Sequence, residues 1–477
     1  FGDTYNNLII GGSTGTKMLG GNVFVNSDFT VNVGVTTAVG ANTLTITDST
    51  DINGTIIIST GTLDVDGAFD ATNGFVTFTG DGNLALSSTV TTLGTLSSDN
   101  GTVTYDGTDQ TVRRDTYYNL VIGGPSGTKT FPYSGQANIS TNGNFTVNSG
   151  ITTSVHAAFL IVTDSTDING TITVTTGKID ANGAFDATGG EITFLDDNGG
   201  DLQLALDVTS LGALTSDKGT VTYDGVDQEV LTDIYNNIVI GGSSGTKTLA
   251  GAITVNSNLT VSVGVTFDVT SSGDYSVSVA GSLENNGTFS AREGTVTFNG
   301  SDDQIFTPGS SSYYNIILNN AGGDDKLLTI AGNLVIDNDL TLTDGTLDLD
   351  TNDPAISIAG DLAIADGAVW TKGSGTVSFD GATQSLSDAN TTPNDLGDAL
   401  IDCDILTVAT NATFTSVQIS SGTRTIINPS VTFIVNGALT ITGELEMADG
   451  SVVDAGGDVT VSVAGTLDMD GTSRLKM

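Results

Sequence analysis

Cysteine, histidine and tryptophan each occur once in the 477 residues, and proline only 6 times. A lone Cys403 excludes an intrachain disulfide framework and any cysteine-based zinc site. A lone His156 excludes multi-histidine metal centres and leaves little for imidazole catalysis. Basic residues are scarce too: 13 Lys+Arg face 55 Asp+Glu, for a net charge of −42. Such a chain repels phosphate backbones, so no nucleic-acid partner is expected. The longest apolar runs are short, as at Ala157-Ala-Phe-Leu-Ile-Val162, so no membrane insertion is expected. The chain opens at Phe1 with neither Met nor a basic segment, which reads as a processed chain or an excised segment. At 38% the apolar fraction is low for a compact globule, yet the apolar positions are spaced too regularly for disorder.

What is present is repetition. Gly101-Thr-Val-Thr-Tyr-Asp-Gly107 returns as Gly219-Thr-Val-Thr-Tyr-Asp-Gly225, Gly294-Thr-Val-Thr-Phe-Asn-Gly300 and Gly375-Thr-Val-Ser-Phe-Asp-Gly381. A second marker begins at Tyr5, Tyr117, Tyr235 and Tyr313, as in Tyr235-Asn-Asn-Ile-Val-Ile-Gly-Gly242. Cutting at each Gly-Thr-Val gives modules 1–100, 101–218, 219–293, 294–374 and 375–477, the first and last truncated in phase. The stretches 61–100 and 177–218 are related inserts absent from the shorter modules. An architecture that accepts an insert and resumes in phase is modular along one axis, because each coil contacts only its neighbours.

Within modules the pattern is period two. In Ala252–Val269, Ile253, Val255, Leu259, Val261, Phe267 and Val269 share one face, while Thr254, Thr260, Thr266 and Asp268 share the other. The branched residues suit a half-buried pleated surface, and Asn-Gly, Asp-Gly and Gly-Gly steps supply the turns. The expected fold is all-β: a β-solenoid, in its right-handed β-helix form, of about twenty short-strand coils, each of roughly 20–24 residues and stacked at about 4.8 Å. Each insert then amounts to two whole coils. The alternative is a string of small β-sandwiches, one per module. The one weak helical pattern, at Asn394–Leu406, allows a single helical turn.

These motifs also carry a resemblance. The pattern Gly-Thr-Val-Thr-Phe/Tyr-x-Gly, then Gln (Gln110, Gln228, Gln304, Gln384), then Tyr-x-Asn-Leu/Ile-x-Ile is similar to the repeats of very large secreted bacterial surface proteins. The Gly-Thr-Leu-Asp-Val-Asp style coils resemble passenger and filamentous-adhesin β-helices. Over essentially the whole chain, the resemblance implies an extracellular, structural or adhesive role and supplies no site residues.

The ends align in phase. Val461-Ser-Val-Ala-Gly-Thr-Leu467 aligns with Val277-Ser-Val-Ala-Gly-Ser-Leu283, which sets Met477 opposite Glu293, just before a Gly-Thr-Val strand. Tyr5 aligned with Tyr235 sets Phe1 opposite Leu231, just after one. Either the chain is a fragment of a longer repeat protein, or it is a subunit whose N-terminal coil Phe1–Gly12 meets the C-terminal coil Val461–Met477 of another copy. Uncapped ends of this kind are heterologous surfaces that build open filaments.

Several residues are candidate sites. Acidic turns gather Asp64, Asp66 and Asp70; Asp196, Asp197 and Asp201; Asp348, Asp350 and Asp353; and Asp468 and Asp470. Calcium takes six to eight oxygen ligands, which such turns can supply in part; the competing reading is solvated, outward-facing Asp. No other cofactor is expected. Paired carboxylates also serve glycosidases, but the acids are spread evenly and no coil concentrates an acid pair with basic and aromatic partners, so no catalytic residue is assigned and no enzyme activity is expected. Ten Asn-x-Ser/Thr sequons, Asn53 and Asn169 among them, fit glycans, attached or bound, and equally fit turns that precede strands. Cys403 reads as a small buried residue, His156 as a surface loop residue, and the recurrent Tyr as packing. The sequence as a whole points to an acidic structural protein of a bacterial cell surface, a subunit of a head-to-tail filament or fibril, with the stalk or ligand-binding region of a large adhesin as the alternative.

Overall fold

The computed structural model describes residues 3–97, 99–132, 138–196, 199–215, 217–270, 272–320, 322 and 326–477. Among them there are 68 short strands and no helix. Successive strands do not pair with each other. Within each sheet a strand pairs, in parallel, with strands one turn away, as Thr62–Val65 does with Thr43–Ile46 and Asn83–Leu86. Parallel stacking of this kind is a β-solenoid, here of about 22 turns, and it replaces the antiparallel pairing that tandem sandwiches require. The turn length is elastic: partners on adjacent coils lie 17 residues apart at Asn119 and Thr102 and 25 apart at Asn144 and Asn119.

The chain divides into two compact units, Phe1–Gln228 and Glu229–Met477. In the first, an 11-stranded sheet runs from Asp3–Tyr5 to Val208–Ser210. Its inward positions stack in register: Leu44, Leu63, Leu84, Val103 and Leu120 in one row, Ile46, Val65, Leu86, Tyr105 and Ile122 in the next. All are buried, and each such side chain contributes about 1.5–3 kcal/mol of hydrophobic stabilisation. The second unit repeats the device. Ile316, Leu340, Leu362, Leu386, Val408, Ile427 and Met447 form one continuous buried row.

The inserts are whole turns. Residues 177–218 fold as Lys178–Ala181, Phe185–Asp186 and Glu191–Phe194, then Asp201–Leu204, Val208–Ser210 and Ala213–Leu214. Residues 61–100 do the same from Thr62–Val65 to Thr95–Leu96.

Three local readings of the sequence change. The stretch 394–406 holds no helical turn; it forms Asp398–Ile401 and the start of Ile405–Val408, because Ala399, Ile401, Leu406 and Val408 alternate inward in register with neighbouring coils. His156 lies not in a loop but at the end of the strand Thr152–His156, at a bulge with φ of 46° and with its Nε2 3.2 Å from Ser154 Oγ. The shared Val-Ser-Val-Ala-Gly sequence takes two conformations. Val277 and Val279 form one buried strand, whereas Val461 ends the strand Val459–Val461 and Val463 projects into solvent. Pairing of Leu439–Ile441 with Val459–Val461 sets this register two residues earlier than the sequence alignment does; the alignment is restored at Leu467, which like Leu283 sits within a strand.

Candidate functional site

Several carboxylates of the acidic turns accept hydrogen bonds from hydroxyl, side-chain amide and backbone N–H groups. Asp70 Oδ1 accepts from the N–H and hydroxyl of Thr72 at 2.9 and 2.6 Å. The buried Asp348 accepts from the hydroxyls of Thr329 and Thr351 at 3.0 and 2.6 Å and from the N–H of Asp350 at 3.1 Å. Asp353 accepts from the Ser374 N–H, which holds its carboxyl below the usual range. Asp201 accepts from Thr222 and Gln203 at 3.2 and 3.0 Å, and burial still pushes its carboxyl up. Burial, then the Asp66 and Asp106 carboxylates, push Asp64 up. Asp66, Asp350, Asp468 and Asp470 are exposed and Asp196 is half-buried; Asp197 lies outside the described residues. Among the described residues, no group of three or more His, Cys, Asp or Glu side chains converges as a metal site. Cys403 is buried, and burial raises its thiol to about 11, so it is not a reactive thiolate.

The geometry concentrates instead where the repeat motifs meet. In the first unit two five-stranded sheets stop at Val90–Thr92 and Thr95–Leu96, and new sheets start at Gln110–Thr111 and Thr116–Tyr117. Two devices hold this break. Gln110 Oε1 accepts from the Gly107 N–H at 2.7 Å, while its Nε2 donates to the carbonyls of Leu86 and Ser88 at 2.7 and 2.8 Å. Gln228, Gln304 and Gln384 make the same pair of carbonyl contacts on their own neighbouring coils. The Tyr105 and Tyr117 hydroxyls sit 3.1 Å apart in the core, and Tyr117 donates to the Arg113 carbonyl at 2.6 Å; burial raises Tyr105 to about 12. Beside the break lies an open groove of about 670 Å³, lined by Ser88, Thr89, Thr108, Asp109, Thr111 and Arg113 among others.

Lysine completes the junction, and its role was not read from the sequence. Lys129 and Lys247 are fully buried in this acidic chain. Lys129 Nζ donates to the carbonyls of Gly107 and Thr108 at 2.6 and 3.0 Å, and burial lowers its pKa despite the nearby Asp106 and Asp109. The signal was there: Gly-Thr-Lys recurs at a fixed distance after Tyr5, Tyr117 and Tyr235, giving Lys17, Lys129 and Lys247.

The outermost strands of the described residues come from the first and last coils. Asp3–Tyr5, Leu8–Ile10 and Gly15–Met18 each begin a sheet, and Val459–Val461, Thr466–Met469 and Arg474–Lys476 each end one. Ile9 is 67% exposed and Met18 77%, and Val463 and Met477 project into solvent.

No family model, curated protein or solved structure matches the chain.

Proposed function

We propose that the chain is an extracellular structural protein of a bacterial surface, a filament subunit whose N-terminal coil meets the C-terminal coil of the next copy. The observation that supports this reading is the in-register stacking of near-identical coils: rows of buried apolar side chains run from turn to turn within each unit, and the motifs that build them recur along the chain. A coil so built fits a further coil of its own kind, strand against parallel strand, and contact between two different faces repeats without closing. The net charge of −42 disfavours lateral association. The resemblance of the repeats to secreted bacterial surface proteins supplies the location. No catalytic chemistry is part of this reading. The test is light scattering and electron microscopy of the purified chain over a concentration series. End-to-end polymers are expected; a monodisperse 48.4 kDa species at high concentration would remove the proposal.

A second reading, the ligand-binding stalk of an adhesin, is favoured by the hydroxyl-lined groove at Ser88, Thr108 and Arg113. Saturable glycan binding lost in Arg113→Ala would support it.

A further inference from the structure

The sheet break inside the first unit sets an arginine on a trough where the chain supplies it with no anion. Arg113 lines the groove of about 670 Å³ already described. It also lines an adjoining recess of about 310 Å³, shared with Thr92, Arg114 and Pro132, so it stands where the two meet. Its backbone is held on both sides. The Arg113 N–H donates to the Tyr105 hydroxyl at 3.0 Å, and its carbonyl accepts from the Tyr117 hydroxyl at 2.6 Å. The side chain is half-buried. Among the described residues no carboxylate pairs with its guanidinium, in a chain with 55 Asp and Glu. The acids that flank it in sequence turn to backbone instead: Asp109 accepts from the Thr128 N–H and Asp115 from the Thr116 N–H, each at 2.8 Å.

Two comparisons within the molecule make this arrangement particular to one junction. At the next Gln-to-Tyr junction Leu231 stands in the place of Arg113, its carbonyl accepting from the Tyr235 hydroxyl at 2.7 Å, and Glu229 stands in the place of Thr111. In the second unit a groove of about 580 Å³ beside Ser290 and Ser311 is also lined by an arginine. There Arg292 donates through Nε and Nη2 to the two carboxylate oxygens of Asp268 at 3.0 and 2.7 Å. The fork of an arginine matches a planar carboxylate. Arg292 receives one from its own chain, and Arg113 does not.

We infer that the Arg113 trough binds a carboxylate-bearing sugar. The guanidinium takes the carboxylate, and the exposed hydroxyls of Thr89, Thr108 and Thr111 along the groove take sugar hydroxyls. Among the described residues no aromatic side chain lines either recess, so ring stacking adds nothing and the charged contact sets the selectivity. The net charge of −42 repels such a ligand at a distance, but physiological salt screens that field within about 8 Å. The inference rests on the second functional reading only in taking this groove as a ligand site, and it names the chemistry of the ligand.

The experiment titrates the 1–477 chain by calorimetry with sialyllactose against lactose, and with trigalacturonate against its methyl ester. Saturable one-to-one binding of an acidic sugar is expected, about tenfold or more tighter than its neutral counterpart, and the acid that binds separates a sialic from a uronic source. Arg113→Lys keeps the charge and loses the fork, and should weaken binding about tenfold. Thr111→Glu imports the residue of the next junction and should abolish binding. An unchanged thermal midpoint shows that each variant is folded, and the comparison of acidic with neutral sugar needs no variant. Equal binding of acidic and neutral sugars overturns the inference and leaves the second reading standing. Binding of neither overturns both. Acid-selective binding that survives both substitutions lies elsewhere on the chain and also overturns the inference.

Discussion

Gln110 and Gly107 close a ring across the turn that ends the Gly-Thr-Val-Thr-Tyr strand, with the side-chain oxygen 2.7 Å from the backbone nitrogen. The same amide ties two carbonyls of the preceding coil. Gln110→Ala leaves a buried N–H and two carbonyls without this partner, so it should cost about 2–4 kcal/mol. Gln110→Glu should cost at least as much, since a carboxylate then faces carbonyl oxygens. Urea unfolding of both variants gives the values; a loss under 0.5 kcal/mol would show that the clamp is dispensable.

The two lysines of one motif should behave oppositely. Lys129→Ala opens a cavity and strips a donor from the Gly107 and Thr108 carbonyls, for a loss of roughly 2–4 kcal/mol. Lys17→Ala removes an exposed side chain and should change stability by less than about 0.5 kcal/mol. Equal effects would contradict the difference in cover between the two coils.

Thr50 and Thr166 occupy equivalent core positions, each between two phenylalanines, Phe29 and Phe69 or Phe145 and Phe185. Each hydroxyl is buried without a hydrogen-bond partner. Thr50→Val and Thr166→Val keep the shape and remove the stranded polar atom, and each should raise stability by about 1 kcal/mol. Thermal unfolding of the single and double variants measures this, with the two gains additive.

Acidity should act in two stages. The Asp64 carboxyl is raised above 3.8 by burial and by Asp66 and Asp106, so the folded state holds this proton more tightly than the unfolded chain. Its penalty is therefore fully present at neutral pH, is relieved as pH falls through the raised value, and is gone below 3.8. Asp268, lowered by its hydrogen bond to Arg292, and Asp353, lowered by the Ser374 N–H, act the other way. Their stabilisation holds above 3.8 and is lost as pH falls further through their lowered values. Asp64→Asn should raise the midpoint at pH 7 and leave it unchanged near pH 3. An equal gain at both would show that charge is not the cause.

Calcium should leave the thermal midpoint unchanged, because Asp70, Asp348 and Asp353 already accept N–H or hydroxyl donors. A midpoint raised by calcium and restored by chelator would show that the acidic turns are ligands.

The coil geometry was legible because β-solenoid packing is local: alternation at Ile253, Val255, Leu259 and Val261 names the inward face wherever the neighbours lie. The two-turn inserts were legible because Gly183-Ala-Phe-Asp186 repeats Gly67-Ala-Phe-Asp70. Register was less so. Val461-Ser-Val463 reads identically to Val277-Ser-Val279, and only the coil against which it stacks decides which valines turn inward. The buried lysines were hidden for a related reason. A charged residue in a polar turn reads as solvated, and its burial depends on carbonyls supplied from another turn of the chain. Asp64 likewise reads as a solvated turn carboxylate until the coils that bury it, with Asp66 and Asp106 beside it, are in place.

The inserts within the first unit enter and leave the core at the same point of the turn, so each is a removable graduation on a ruler. Excising either pair of turns should shorten the stack by about 10 Å at the interstrand spacing without turning any inward side chain outward. Reach and packing are thus separate properties of this sequence: a lineage can lengthen or shorten the molecule by duplication alone, with every remaining coil meeting a neighbour of the kind it already fits.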